Sequence, residues 1–296
     1  MNRSTAPTPT RQDFGRWRNG GHRRGASLAI GRGFVAARDA VARGLIAIGV
    51  TPNLLTAAGF LATCGAAAAL LLGGSQSHAA AGTAGQPPYL LWAAAGLVLA
   101  GACDMLDGAV ARLGGLATPL GAVLDSCVDR FSDLAIYLAL IGHFVIRGNA
   151  TYAVLAAAAL SNAFLISYVK ARSECLIRSC EVGYWMRGER SAALLIAVVA
   201  GGVPAMLWQQ AILPALTVLR RLVWTWQCLT AEAAGRPLPE SKPPPGWRGL
   251  ARPWRYPRGS IPYDVVTGVN IAFLVLGGRV SPLFGPDADP LRAWLG

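Results

Sequence analysis

The chain has 296 residues, of which 53% are hydrophobic and only 14% charged, with a mean hydropathy of +0.41. Soluble chains carry roughly 25% charged residues, so the deficit excludes an ordinary water-soluble domain and points to a surface that meets lipid. The net charge of +12 sits between and beyond the apolar runs, not on one face interleaved with stacking aromatics. That placement fits anionic headgroups and speaks against nucleic acid as a partner.

The first fifty residues hold nine arginines and no compact apolar stretch ahead of a small-residue cleavage site, so no signal peptide is expected. Residues 26–48 set Leu28, Val35 and Ile46 among Arg32, Arg38 and Arg43, the pattern of an amphipathic helix lying in the membrane interface. Thr51-Pro52-Asn53 reads as a helix start, with Thr51 as cap and Pro52 in the first helical position.

A spanning helix needs about 20 apolar residues, and six segments are expected to meet that need: 52–73, 88–111, 119–146, 150–171, 190–206 and 208–229. Pro204 is read as ending the fifth and Trp208-Gln209-Gln210 as the turn into the sixth. Basic residues gather before residue 50, in the 112–118 turn, in the 170–190 loop and after 220, which puts both termini and those two segments in the cytoplasm. Residues 236–258, rich in Pro, Arg and Trp, read as irregular, and the apolar run 263–278 is expected to pack at the membrane surface. The expected fold is therefore an all-α integral membrane protein of the inner membrane. It has a basic arm and interfacial helix (1–50), a six-helix domain (51–230) and an irregular tail (231–296). The six scattered cysteines form no CxxC pair and read as small buried hydrophobes, with Cys175 and Cys180 the only two worth watching.

Ionisable groups inside a span cost several kcal/mol unless paired, solvated or bound to metal. Four fall at the adjacent ends of the second and third expected spans, in Asp104-Met-Leu-Asp107-Gly108-Ala-Val-Ala111-Arg112 and Gly121-Ala-Val-Leu-Asp125-Ser-Cys-Val-Asp129. Asp104 and Asp107 are i,i+3 and share one helix face; Asp125 and Asp129 are i,i+4 and share another. A short turn makes the helices antiparallel neighbours, so the carboxylates can converge. Together they could not all ionise unaided, and hard divalent cations resolve the repulsion. Gly108, Ala111 and Gly121 leave bare backbone beside the acids, and Arg112 at the rim can pair with a phosphate. The predicted site is a metal centre next to a nucleotide-sized hollow. A proton relay or glycine-mediated helix packing explains any one of these residues but not the joint pattern.

The run from Asp104 to Asp129 matches all eight fixed positions, over 26 residues, of the CDP-alcohol phosphatidyltransferase signature. On those residues the chain resembles that family across roughly residues 45–230. The resemblance implies six spanning helices and two magnesium or manganese ions. Asp104, Asp107, Asp125 and Asp129 would be the metal ligands, with Asp129 also the general base. Gly108, Ala111, Arg112 and Gly121 would form the CDP site. It further implies CDP-diacylglycerol as donor, a small alcohol as acceptor, release of CMP, and a homodimer. A membrane prenyltransferase also uses intramembrane aspartates, but without the Gly-x2-Ala-Arg continuation; a proton-coupled transporter is the non-enzyme alternative.

Ser167 and Lys170 are i,i+3 at the end of the fourth expected span, and Arg190 opens the fifth. A basic pocket there suits an acceptor that carries a phosphate. The segment resembles the phosphatidylinositol phosphate synthase branch, whose matching Ser, Lys and Arg bind inositol phosphate, and Arg221 matches a further arginine more loosely. Phosphatidylglycerophosphate synthases share much of this segment, which keeps glycerol 3-phosphate as the alternative acceptor.

Overall fold

A computed structural model describes residues 26–74, 88–239 and 260–295. The regular structure of these residues is helical: α1 (Ala26–Ala47), α2 (Pro52–Gly73), α3 (Tyr89–Leu113), α4 (Pro119–Ile146), α5 (Ala150–Glu174), α6 (Arg187–Ala200), α7 (Val203–Ala233), α8 (Ile261–Val280) and α9 (Pro290–Leu295). A single 3-10 turn, Pro282–Phe284, joins the last two.

The helix starts follow local chemistry. Thr51 accepts a hydrogen bond from the Leu54 amide with Pro52 just behind it, and Thr118 does the same for Gly121 ahead of α4 with Pro119. Gly115, at φ +65°, turns the chain between α3 and α4, a left-handed position where a side chain would be strained. This turn makes α3 and α4 sequential neighbours, as the acid motif requires.

Small residues set how closely the helices approach. A Cβ on Gly96 of α3 would lie 3.0 Å from both the Ala62 carbonyl oxygen and the Ala66 Cβ of α2, the close approach that packs helices in lipid. Leu70, Leu140, Phe144, Tyr152, Ala156, Val198, Met206 and Leu274 meet in one core. The helix expected at 26–48 is present, and its Ala42 is buried in a cluster with Ala109 and Val110 of α3.

The expectation of six spans is overturned. Among the described residues, four helices are long and apolar enough to cross a membrane: α2, α3, α5 and α8. The reasons lie in the other three. Asp125, Asp129, Arg130 and Asp133 interrupt α4, α6 has only 14 residues, and Gln209, Gln210, Arg220 and Arg221 dilute the 31 residues of α7. Trp208-Gln209-Gln210 is not a turn either. The break falls at Gly201, at φ +70°, and α7 then runs unbroken through Pro214. Pro204 starts that helix instead of ending the previous one, because a missing N–H costs nothing at a first turn.

The tail is also more ordered than a surface segment. Residues 261–280 form α8, whose Leu274 is buried in the common core. Most of the segment expected to be irregular, 240–258, lies outside the described residues. Beyond α8 the chain hooks back onto the start of α5. Tyr152 donates its hydroxyl to the carbonyls of Leu283 and Gly285, and Asp289 accepts from the amides of Ala150 and Thr151. All six cysteines are free; Cys103, Cys180 and Cys228 are buried, while Cys127 and Cys175 are exposed.

Candidate active site

The acids lie on α3 and α4, two helices that both pack against α2. Carboxylate oxygens of Asp104, Asp125 and Asp129 all lie within 4.8 Å of one another. Asp107 stands apart from this triad: it is buried and accepts a hydrogen bond of 2.8 Å from the Thr56 hydroxyl of α2. One turn earlier on the same helix, Asp104 is exposed.

Arg187, in the first turn of α6, is the counter-charge. Its Nη1 donates to Asp104 Oδ1 at 2.7 Å and its Nη2 meets Asp129 Oδ1 at 2.8 Å. Two more arginines stand behind it. Arg130 lies 3.9 Å from both Asp129 and Asp133, and Arg190 Nη2 donates to Asp133 Oδ2 at 3.3 Å. Arg187 Nε and Arg190 Nη1 are buried with no protein partner. An unpaired guanidinium N–H is costly, and these donors are available to an anion.

Three oxygen-donor side chains converging on one point fit a hard divalent cation, since magnesium and manganese prefer carboxylate ligands. The compensating Arg187 makes the same point, because the triad already needs a positive charge at its centre.

The small-residue positions also fall beside the acids. The atoms nearest a Cβ placed on Gly108 belong to the Arg112 guanidinium, with Nη1 at 3.1 Å, so Arg112 folds back over that glycine. Ala111 and Gly121 are partly exposed, and the Gly121 amide is taken by Thr118.

The expected acceptor residues are distributed less tightly. Arg190 is tied to Asp133 beside the acid cluster, as described. Ser167 donates to the Ala163 carbonyl and Lys170 pairs with Glu174 at 3.8 Å. Arg221 is buried and donates to the carbonyls of Val182 and Ile166, so it also braces the 175–186 loop against α5. Thr56, Arg130 and Arg187 join the site without being singled out by the sequence pattern. Arg187 was legible in principle: it is i−3 from Arg190 and shares its face.

Acids that converge from α3 and α4, with arginines behind them, make a candidate metal centre in a protein with several helices able to cross a membrane. Comparison with known proteins makes the class specific. Residues 49–223 match the family model for CDP-alcohol phosphatidyltransferase, and the chain belongs to that family.

The chain is 35% identical over 199 residues to a phosphatidylinositol phosphate synthase of Corynebacterium glutamicum, covering 62% of this chain and 82% of that one. It is 32% identical over 188 residues to an archaetidylinositol phosphate synthase of Methanothermobacter thermautotrophicus, covering 62% and 86%. The crystal structure of the Mycobacterium tuberculosis phosphatidylinositol phosphate synthase with CDP-DAG bound superposes with a TM-score of 0.53 at 28% identity, over 64% of this chain and 93% of that one. A second structure of that protein, in complex with manganese and citrate, also scores 0.53 at 28% identity and covers 64% of this chain and 88% of that one.

Proposed function

We propose that this enzyme moves the phosphatidyl group of CDP-diacylglycerol onto a hydroxyl of inositol 1-phosphate and releases CMP. One observation carries the reading. The Asp104, Asp125 and Asp129 carboxylates converge beside arginines that keep buried, unpartnered N–H groups. A metal-binding centre flanked by anion donors suits the joining of a diphosphate donor to a phosphorylated acceptor. Relatives named for inositol phosphate lipids favour that acceptor over glycerol 3-phosphate.

Two magnesium or manganese ions, held by Asp104, Asp107, Asp125 and Asp129, would supply Lewis-acid stabilisation of charge on the donor's pyrophosphate oxygens. The remaining work belongs to the chain. Asp129 takes the proton of the acceptor hydroxyl as its oxygen bonds to the phosphorus bearing the diacylglycerol. The bond from that phosphorus to the CMP oxygen breaks, and CMP leaves with the electron pair. Gly108, Ala111 and Gly121 present bare backbone to the cytidine end, while Arg112 reaches a phosphate. Arg190, with Ser167, Lys170 and more loosely Arg221, holds the acceptor phosphate. Ser167 and Lys170 exchange their bonds to Ala163 and Glu174 for the ligand.

The reading extends to organisation. The catalytic unit is residues 51–230, the arginine-rich 170–190 segment and both termini face the cytoplasm, and the family resemblance supports a homodimer. Purified enzyme with labelled CDP-diacylglycerol and magnesium should release CMP with inositol 1-phosphate, and should stop reversibly on chelation. Turnover with glycerol 3-phosphate, free inositol or serine but not inositol 1-phosphate would refute the acceptor. An undiminished rate in chelator would refute the metal.

A further inference from the structure

The family match ends at residue 223, yet α8, which begins at Ile261, packs directly against the helix that carries the active-site arginines. A Cβ on Gly202, at the junction of α6 and α7, would overlap the Leu274 carbonyl oxygen of α8. Gln209 of α7 donates to Asn270. At the other end of α8, Tyr263 donates its hydroxyl to Glu189 Oε1 at 2.8 Å. The Tyr263 ring lies 5.4 Å from that of Tyr184, whose hydroxyl is 2.9 Å from the Thr267 hydroxyl. These contacts bracket the entry to α6.

That entry is poorly secured from within. Helix α6 has 14 residues, and its cap residue Met186 makes no side-chain capping bond. A short helix without a cap depends on tertiary contacts for the order of its first turn. The first turn is also where the chemistry sits. Glu189 lies between Arg187, bound to Asp104 and Asp129, and Arg190, bound to Asp133. Whatever anchors Glu189 therefore bears on the order of the turn that presents both arginines.

We infer that Tyr263 is a positioning residue: through Glu189 it orders the first turn of α6 and so holds Arg190 in register with Asp133, so that the C-terminal helix serves acceptor binding. The inference rests on the acceptor-phosphate role proposed for Arg190. Tyr263 acts through its hydrogen bond to the Glu189 carboxylate, an interaction of a kind strong enough to matter for binding.

The test is Tyr263→Phe in the full-length enzyme, which keeps the stacked ring and removes one hydroxyl. The acceptor KM should rise about three- to ten-fold, with kcat and the CDP-diacylglycerol KM within about twofold of wild type. Glu189→Ala should give a similar rise, and adding Tyr263→Phe to it should change nothing further. Effects of the two changes that simply multiply, or an unchanged acceptor KM in Tyr263→Phe, would overturn the inference. A second measurement stands apart from the acceptor's identity. Backbone amides of 191–194 should exchange hydrogen faster in Tyr263→Phe than in wild type, and equal rates would also overturn it. Failure of wild-type turnover with inositol 1-phosphate, by contrast, counts against the acceptor assignment and leaves the exchange result to decide the role of Tyr263.

Discussion

Gly108→Ala separates a glycine that serves packing from one that serves the ligand. Gly108 has ordinary helical backbone in α3 and is partly exposed. The atoms nearest its added methyl would be those of the Arg112 guanidinium, at 3.1 to 3.8 Å. Arg112 is exposed and flexible, so it can swing aside without disturbing a neighbouring helix. Replacing a helical glycine by alanine stabilises a helix by about 0.5–1 kcal/mol, so the variant should unfold no earlier than wild type. The donor surface responds in the opposite sense. A methyl forced into a close contact costs about 1–3 kcal/mol, which is roughly 5- to 150-fold in affinity. Thermal unfolding in detergent and the CDP-diacylglycerol KM should therefore diverge, with stability kept or raised and donor binding weakened. An unchanged donor KM would remove Gly108 from the CDP site. Early unfolding would make it a packing glycine, as Gly96 is, where the Cβ meets the backbone of α2.

Two further outcomes are expected. Asp129→Asn should lower kcat by at least about a hundred-fold, the usual yield of a general base, while metal-dependent CDP-diacylglycerol binding survives; full retained turnover would remove Asp129 as the base. Asp289 caps the start of α5 from the C-terminal hook, and its bonds to Thr151 and to the Ala150 and Arg292 amides hold its carboxyl below the usual range. A depressed folded-state pKa means the tether is fully present above the ordinary carboxylate value of about 4 and is lost as pH falls through the folded value. Proteolysis of the 281–295 segment should accordingly rise only below about pH 4, and Asp289→Asn should flatten that dependence; the same acid-induced rise in the variant would refute the tether.

The chemistry of the site was legible in the residues because it is local. Helical spacing points to Asp104, Asp125 and Asp129, whose carboxylates converge, whereas Asp107, expected beside them, is tied to Thr56 instead; Thr118-Pro119 and Gly115 mark the turn between α3 and α4. The start of α2 was readable for the same reason, since Thr51 and Pro52 cap their own helix.

Long-range pairing decided the rest. Nothing near Asp107 in sequence announces Thr56, and nothing near Arg187 announces Asp104, which is bound across 83 positions. A side chain's partner across the bundle depends on how helices pack, and apolar composition leaves that packing undetermined. The span count failed on the same ground. Apolar length shows where a helix has a lipid-compatible face, but α4, α6 and α7 hold charged and amide groups that have protein partners only once the bundle is assembled, as Arg221 does with Val182 and Ile166. The residues before 235 thus named the reaction class by themselves. Only the tertiary structure brought the tail to the active-site helix, because a hydrogen bond from Tyr263 to Glu189 spans 74 positions and leaves no periodic mark in the sequence.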